Sequence, residues 1–273
     1  MGYEMNLKIR SFLSFCYLML LSIVLSSCSE VEESTVNDLQ KKDVKEDFVF
    51  IADPTLMPLT TRSSSGNELV GFEIDLIKEI AKREGFTVKT KAYIKNNILS
   101  TLTTGDSDIV GGGLYIDEKS KKVLYTKPYL STGQSLLVKK GNKKIKSIND
   151  FNNHKIAAKA DSMSGDILSS LNEDEEWTNV LTDSVFLAVK ELANDNVDAV
   201  LLDSPFAVYY KQKKEYNLEL IHLPSIKREK FGFAVNKNKK DLQKRLNSGL
   251  EEIMQDGTYR EIHLKWFKSE PVW

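Results

Sequence analysis

Only two cysteines, Cys16 and Cys28, and only three histidines occur in the 273 residues. Cys16 lies inside an apolar leader, so the folded part has no second thiol for a disulfide, and its core alone must hold it together. His154, His222 and His263 are scattered without metal-ligand spacing, and no convincing nucleophile and base pair stands out. A phosphate-cradling Gly-x-x-x-x-Gly-Lys stretch is absent, so no bound cofactor is expected. Neither charge dominates: 38 basic residues face 39 acidic ones, and the pI near 6.4 excludes the broad basic field of a nucleic-acid binder. The most apolar run, Phe12 to Leu25, is too short for a permanent membrane helix. No internal repeat or low-complexity block interrupts the chain.

That apolar run follows Lys8 and Arg10 and ends in Leu25-Ser26-Ser27-Cys28, the layout of a secretory signal. The tetrad resembles the lipobox of bacterial lipoproteins, which implies a signal peptide over 1–27 and a diacylglycerol on Cys28. Two acyl chains suffice for durable anchoring, one alone does not. Residues 28–46 are polar and lack periodicity, as in a flexible tether. The chain is therefore expected on the outer side of a bacterial membrane, periplasmic or cell-surface.

From Phe48 onward, strand and helix patterns alternate. Phe48–Ala52, Phe86–Ala92, Asp108–Val110, Leu136–Val138, Ile156–Ala158, Val180–Leu181, Ala199–Leu202, Leu218–Ile221 and Phe231–Val235 read as strands. Helical spacing marks Gly71–Glu84, with Phe72, Leu76, Ile77, Ile80 and Ala81 on one face and Gly85 as the stop. Further helices are expected at Asn97–Thr104, Asp166–Leu171, Val185–Ala193, Pro205–Lys211, Asp241–Met254 and Tyr259–Trp266. This alternation predicts parallel α/β sheets.

Several blocks, in order, resemble the amino-acid-type, family 3 solute-binding proteins of ABC transporters. They are Leu69-Val70-Gly71-Phe72-Glu73-Ile74-Asp75-Leu76, Thr104 to Ile109, Gly112-Gly113-Leu114-Tyr115-Ile116, Lys127-Pro128-Tyr129, Asn196 to Pro205, and Asp256 to Ile262 followed by Lys265-Trp266-Phe267. The resemblance implies an α/β, two-lobed periplasmic-binding-protein-like fold of type II, with ligand bound in the cleft between the lobes. Lobe one is expected over 47–129 plus 232–273 and lobe two, inserted, over 134–226. Hinge crossovers fall near 129–133 and 227–231.

In open α/β sheets, ligands lie beyond the carboxyl ends of strands. Asp203 ends a strand before Ser204-Pro205; it either serves the following helix dipole or pairs with a ligand ammonium, and the resemblance favours the second role. The same resemblance places Ser162, Gly113, Asp53, Tyr115 and Lys159 in the ligand site. For Ser162 a plain helix cap is an equal reading, for Gly113 a tight turn, for Asp53 the start of an Asp-Pro turn. Asp161-Ser162 stands where relatives commonly have Gly-Thr, and Tyr115 where they have a small hydroxyl. The arginine that usually grips an α-carboxylate is missing from Asp117 to Lys122. Lys95 or Lys121 is left as the carboxylate partner, or the ligand is not a standard α-amino acid. Leu56 takes one of the usual stacking positions, and Arg62 reads as a solvated loop residue.

These features point to a monomeric binding protein that captures a small amino-acid-like molecule by hinge closure and passes it to an ABC permease. A surface lipoprotein, adhesin or sensor partner with a drifted pocket is the main alternative. A dehydratase-type enzyme on this fold fits less well.

Overall fold

A computed structural model describes residues 46–94, 97–172 and 176–271. The leader, Cys28 and nearly all of the tether lie outside the described residues, as does Lys95. The described part starts with β1 (Asp47–Ala52) and a small antiparallel ribbon of β2 (Thr55–Leu56), β3 (Thr60–Arg62) and β4 (Leu69–Val70). Then come α1 (Phe72–Arg83), β5 (Thr87–Ala92), the short α2 (Thr101–Thr104), β6 (Ile109–Val110) and β7 (Val123–Tyr125). Next are β8 (Leu130–Thr132), β9 (Gln134–Lys139), β10 (Lys155–Lys159), α3 (Met163–Leu171), β11 (Thr178–Thr182) and α4 (Val185–Ala193). The run closes with β12 (Ala199–Asp203), α5 (Ser204–Lys211), β13 (Leu218–Leu223), β14 (Glu229–Phe231), β15 (Ala234–Asn236), α6 (Lys240–Gln255) and α7 (Thr258–Phe267).

Two five-stranded sheets result, ordered β5-β1-β6-β15-β7 and β11-β10-β12-β9-β13. Each is mixed, which corrects the expectation of parallel sheets. Strands joined through a helix run parallel, as β1 with β5 and β10 with β11. In contrast β9 and β15 enter from between the sheets and pair antiparallel with β12 and β6. The sheets and their helices form two α/β lobes. Between them β8 and β14 pair antiparallel, Leu130 opposite Phe231 and Thr132 opposite Glu229.

The expected strand Phe231–Val235 is also corrected: it divides into β14 and β15, which belong to different sheets. Gly232 sits at the break, where a β-carbon would come within 2.9 Å of the Ile116 side chain. Only glycine lets the two segments approach so closely.

Packing follows from the apolar spacing. Phe72, Leu76, Ile77, Ile80 and Ala81 of α1 are buried with Leu246, Leu250 and Ile253 of α6 in one cluster with the first sheet. Each such side chain contributes up to about 1.5–3 kcal/mol of burial. In the second sheet both faces are covered. Leu136, Val138, Ile156 and Leu201 pack toward Phe151 and Leu168, while Leu137, Ala157 and Val200 join the cluster with α4 and α5.

Distant sequence blocks meet in this frame. Asp75 Oδ2 accepts from Lys265 Nζ at 2.6 Å and Trp266 Nε1 at 2.7 Å. The Tyr259 hydroxyl donates to the Tyr129 carbonyl at 2.6 Å. His263 is buried between Phe72 and Phe267, bonded to the Ser269 carbonyl.

Candidate ligand-binding cleft

A cavity of about 580 Å³ is lined from both lobes. The first lobe supplies Asp53, Leu56, Gly111, Gly112, Gly113 and Tyr115; the second supplies Lys159, Ser162, Met163, Asp203 and Phe206. Six residues singled out from sequence (Asp203, Ser162, Gly113, Asp53, Tyr115 and Lys159) are thus brought together. Lys121 is not: it is exposed and does not line the cavity. Arg62 is exposed and donates to the Gly66 carbonyl of its own loop at 3.3 Å. Among the described residues, no arginine lines the cavity.

Asp203 closes β12 and directly precedes α5, whose first turn carries Pro205. It makes no side-chain cap bond to that helix, so the capping role is not the one adopted. At 6% exposure it is nearly sealed. Three donors converge on Oδ1: the Tyr115 hydroxyl at 2.5 Å, the Gln134 amide at 2.8 Å and the Thr132 hydroxyl at 3.3 Å. Tyr115 reaches across from the first lobe, while Thr132 and Gln134 flank Gly133 at the start of β9. Burial pushes the Asp203 carboxyl up to about 6, against the pull of those three donors. The Tyr115 phenol is pushed upward by burial and then by the Asp203 charge. Its ring leans on Phe231, centroids 4.9 Å apart.

The other second-lobe contacts gather at the N-terminus of α3. Ser162 Oγ accepts from the Gly165 N–H at 3.2 Å and donates to the Lys159 carbonyl at 2.7 Å. Its hydroxyl therefore serves as helix cap. Asp161 has φ of 50°, the left-handed region that glycine fills easily and aspartate tolerates. Asp53 Oδ1 accepts from the Thr55 N–H at 2.8 Å and hydroxyl at 2.7 Å, closing its turn. Asp53 Oδ2 faces Lys159 Nζ at 4.0 Å, an ion pair between the lobes.

Sequence reading missed Thr132 and Gln134, and it took Ser164 only as part of the Asp161-Ser162-Met163-Ser164 stretch whose serine hydroxyls could receive a carboxylate. Gln134 carries the link, since its Oε1 accepts the Ser164 hydroxyl at 2.7 Å while its amide holds Asp203. No local pattern marks this chain of bonds, because its members come from β9, α3 and β12. Among the described residues no cluster of His, Cys, Asp and Glu is suited to a metal, and no helix is long and apolar enough to cross a membrane.

A paired sheet architecture with a polar cleft between lobes defines an extracytoplasmic solute-binding fold. The sequence matches the bacterial extracellular solute-binding proteins, family 3, over residues 48–269, and the chain belongs to that family. It is 31% identical over 216 residues to a "Probable histidine-binding protein" of Neisseria gonorrhoeae, covering 78% of this chain and 80% of that one. It is 32% identical over 218 residues to an ABC transporter glutamine-binding protein of Bacillus subtilis (strain 168), covering 77% of each. Among solved structures, an ancestral arginine-binding protein bound to arginine superposes with a TM-score of 0.71 at 33% identity, covering 82% of this chain and 99% of that one. These relatives are named for binding and not for catalysis.

Proposed function

We propose that this protein is a lipid-anchored receptor that captures a small amino-acid-like ligand between its lobes and delivers it to an ABC permease. Lobe one comprises 47–129 plus 232–273 and lobe two 134–226, with β8 and β14 as the hinge strands. The observation that carries the reading is Asp203: a nearly sealed carboxylate whose three side-chain donors all sit on Oδ1, leaving Oδ2 to receive a ligand ammonium. Tyr115, Thr132 and Gln134 orient it. Gly113 and Asp53 border the ligand on the first lobe, Lys159 and Ser162 on the second. Lys159 is the carboxylate partner on the cavity wall, and Lys95, beside Tyr93 and Ile94, is a second candidate.

Asp53, Asp166, Asp183 and Asp203 line the same cavity, so the field favours ligands with added positive charge over glutamate-like ones. The anchor is Cys28, acylated after removal of 1–27, which holds the protein outside the membrane. Its action requires no catalysis, cofactor or self-association.

A thermal-shift panel of L-arginine, L-lysine, L-histidine, L-glutamine, L-cystine and L-glutamate tests this. A ligand at a hundred times its Kd adds about 2.7 kcal/mol of stability. The reading expects a clear upward shift with at least one amino acid and none with L-glutamate. A flat response to the whole panel, and to small molecules released from the purified protein, supports the drifted-pocket alternative instead. Cys28→Ala is expected to move the protein from the membrane to the soluble fraction.

A further inference from the structure

Glu73 is the second residue of α1 and has no exposed surface, although it stands on the same stripe as Ile77 and Ile80. A carboxylate there is costly unless its oxygens are filled. They are filled by the cleft itself. Oε2 accepts the Gly112 N–H at 2.5 Å, and Oε1 accepts the Gly113 N–H at 2.7 Å and the Tyr129 hydroxyl at 2.6 Å. Gly112 and Gly113 have φ of 94° and 66° and line the cavity. A β-carbon on Gly111 would lie 2.5 Å from Glu73 Oε2 and from Phe50, so the glycine run is shaped around this carboxylate.

Tyr129, the third donor, directly precedes β8. Its N–H donates to the Phe231 carbonyl on β14 at 3.0 Å, and its carbonyl accepts the Tyr259 hydroxyl. One carboxylate thus joins three parts: the N-terminus of α1, the glycine segment that walls the cavity, and the point where both between-lobe strands meet the first lobe.

We propose that Glu73 is a positioning residue for ligand capture: it holds Gly111–Gly113 in their cleft-facing conformation and locks that segment, through Tyr129, to the strands about which the lobes move. This rests on the binding reading above. Glu73 touches no ligand; it acts through the glycine backbone and through Tyr129.

The two links can be cut separately. Glu73→Gln leaves one acceptor oxygen, which can still serve Tyr129, and turns an amide NH2 on the N–H of Gly112 or Gly113, so it cuts the link to the glycine segment. Tyr129→Phe keeps the buried ring and cuts only the link to the strands. Amide hydrogen exchange, the distance distribution between one spin label on each lobe, and titration with the tightest binder among L-arginine, L-histidine, L-glutamine and L-cystine are the readouts. In Glu73→Gln, exchange at Gly112 or Gly113 should rise at least a hundredfold with amides of β10 and α3 unchanged, and affinity should fall tenfold or more. In Tyr129→Phe, Gly112 and Gly113 should stay protected while the ligand-free distance distribution broadens and affinity falls about fivefold. The double variant should show both effects.

The proposal is overturned if folded Glu73→Gln keeps Gly112 and Gly113 protection within threefold of the parent. It is equally overturned if Tyr129→Phe leaves the distance distribution unchanged. Both arms run on ligand-free protein, so they decide the point even if no amino acid binds, which would sink the binding reading alone.

Discussion

Two buried carboxylates, one in each lobe, are each held by several donors, yet the donors are arranged differently. Glu73 receives its donors on both oxygens, two of them backbone N–H groups of its own lobe. Asp203 receives its three side-chain donors on one oxygen, and one of these comes from the opposite lobe. The first is a finished internal brace. The second is half-finished, and it borders a cavity. On the binding reading proposed above, the distribution of side-chain donors over the two oxygens, more than burial itself, is what sets Asp203 apart from Glu73.

Removing the brace should cost most. Glu73→Ala strands two N–H groups and a phenol, each worth about 1–3 kcal/mol when left unpaired, so a loss of about 4 kcal/mol is expected in urea unfolding. Neutralising Asp203 while keeping Oδ1 as an acceptor should do the reverse at neutral pH. Burial has raised its carboxyl from 3.8 to about 6, so the empty folded state holds its proton more tightly than the unfolded chain does. That contribution is complete below about pH 4 and is lost as pH rises through 6. Its full size is about 3 kcal/mol. Asp203→Asn cannot titrate, so its stability relative to the parent should climb between pH 4 and 6 and stay level above. A constant difference would mean that the folded state does not hold the Asp203 proton more tightly than the unfolded chain. Ligand affinity should in turn fall below pH 6, because the ammonium needs the ionised form.

Smaller effects sharpen the comparison. Tyr115→Phe removes one charged-acceptor bond, worth about 1.5 kcal/mol, and should weaken binding about tenfold. Ser162→Ala removes a helix cap and should cost about 1 kcal/mol of stability with little change in affinity. Lys121→Ala and Arg62→Ala should move stability by no more than about 0.5 kcal/mol and leave affinity alone. A large effect of Lys121→Ala would mean that the carboxylate partner lies outside the described cavity.

Much of this was legible before any coordinates. The stripe on α1 and the stop at Gly85, which has φ of 73°, are local signals that the structure reproduces. Asp203 was legible because it ends an apolar strand before Ser204-Pro205. The mixed character of the sheets was hidden, because strand direction depends on the path between lobes and not on the strand's own residues. The break at Gly232 was hidden too, since its cause is Ile116, far away in sequence. Gln134 and Thr132 gave no signal, as their role exists only once β9 lies beside β12. Glu73 did leave a trace that could have been read: a lone carboxylate in register with Ile77 and Ile80 calls for buried donors.

Calorimetric titration of the parent and Asp203→Ala at pH 7.5, with the amino acid that stabilises the parent most, tests the account at its centre. Breaking a buried charge pair costs about 3–5 kcal/mol, so affinity should drop on the order of a hundredfold to a thousandfold or more. A change of less than threefold would contradict the assignment of Asp203 as the group that receives the ligand's ammonium.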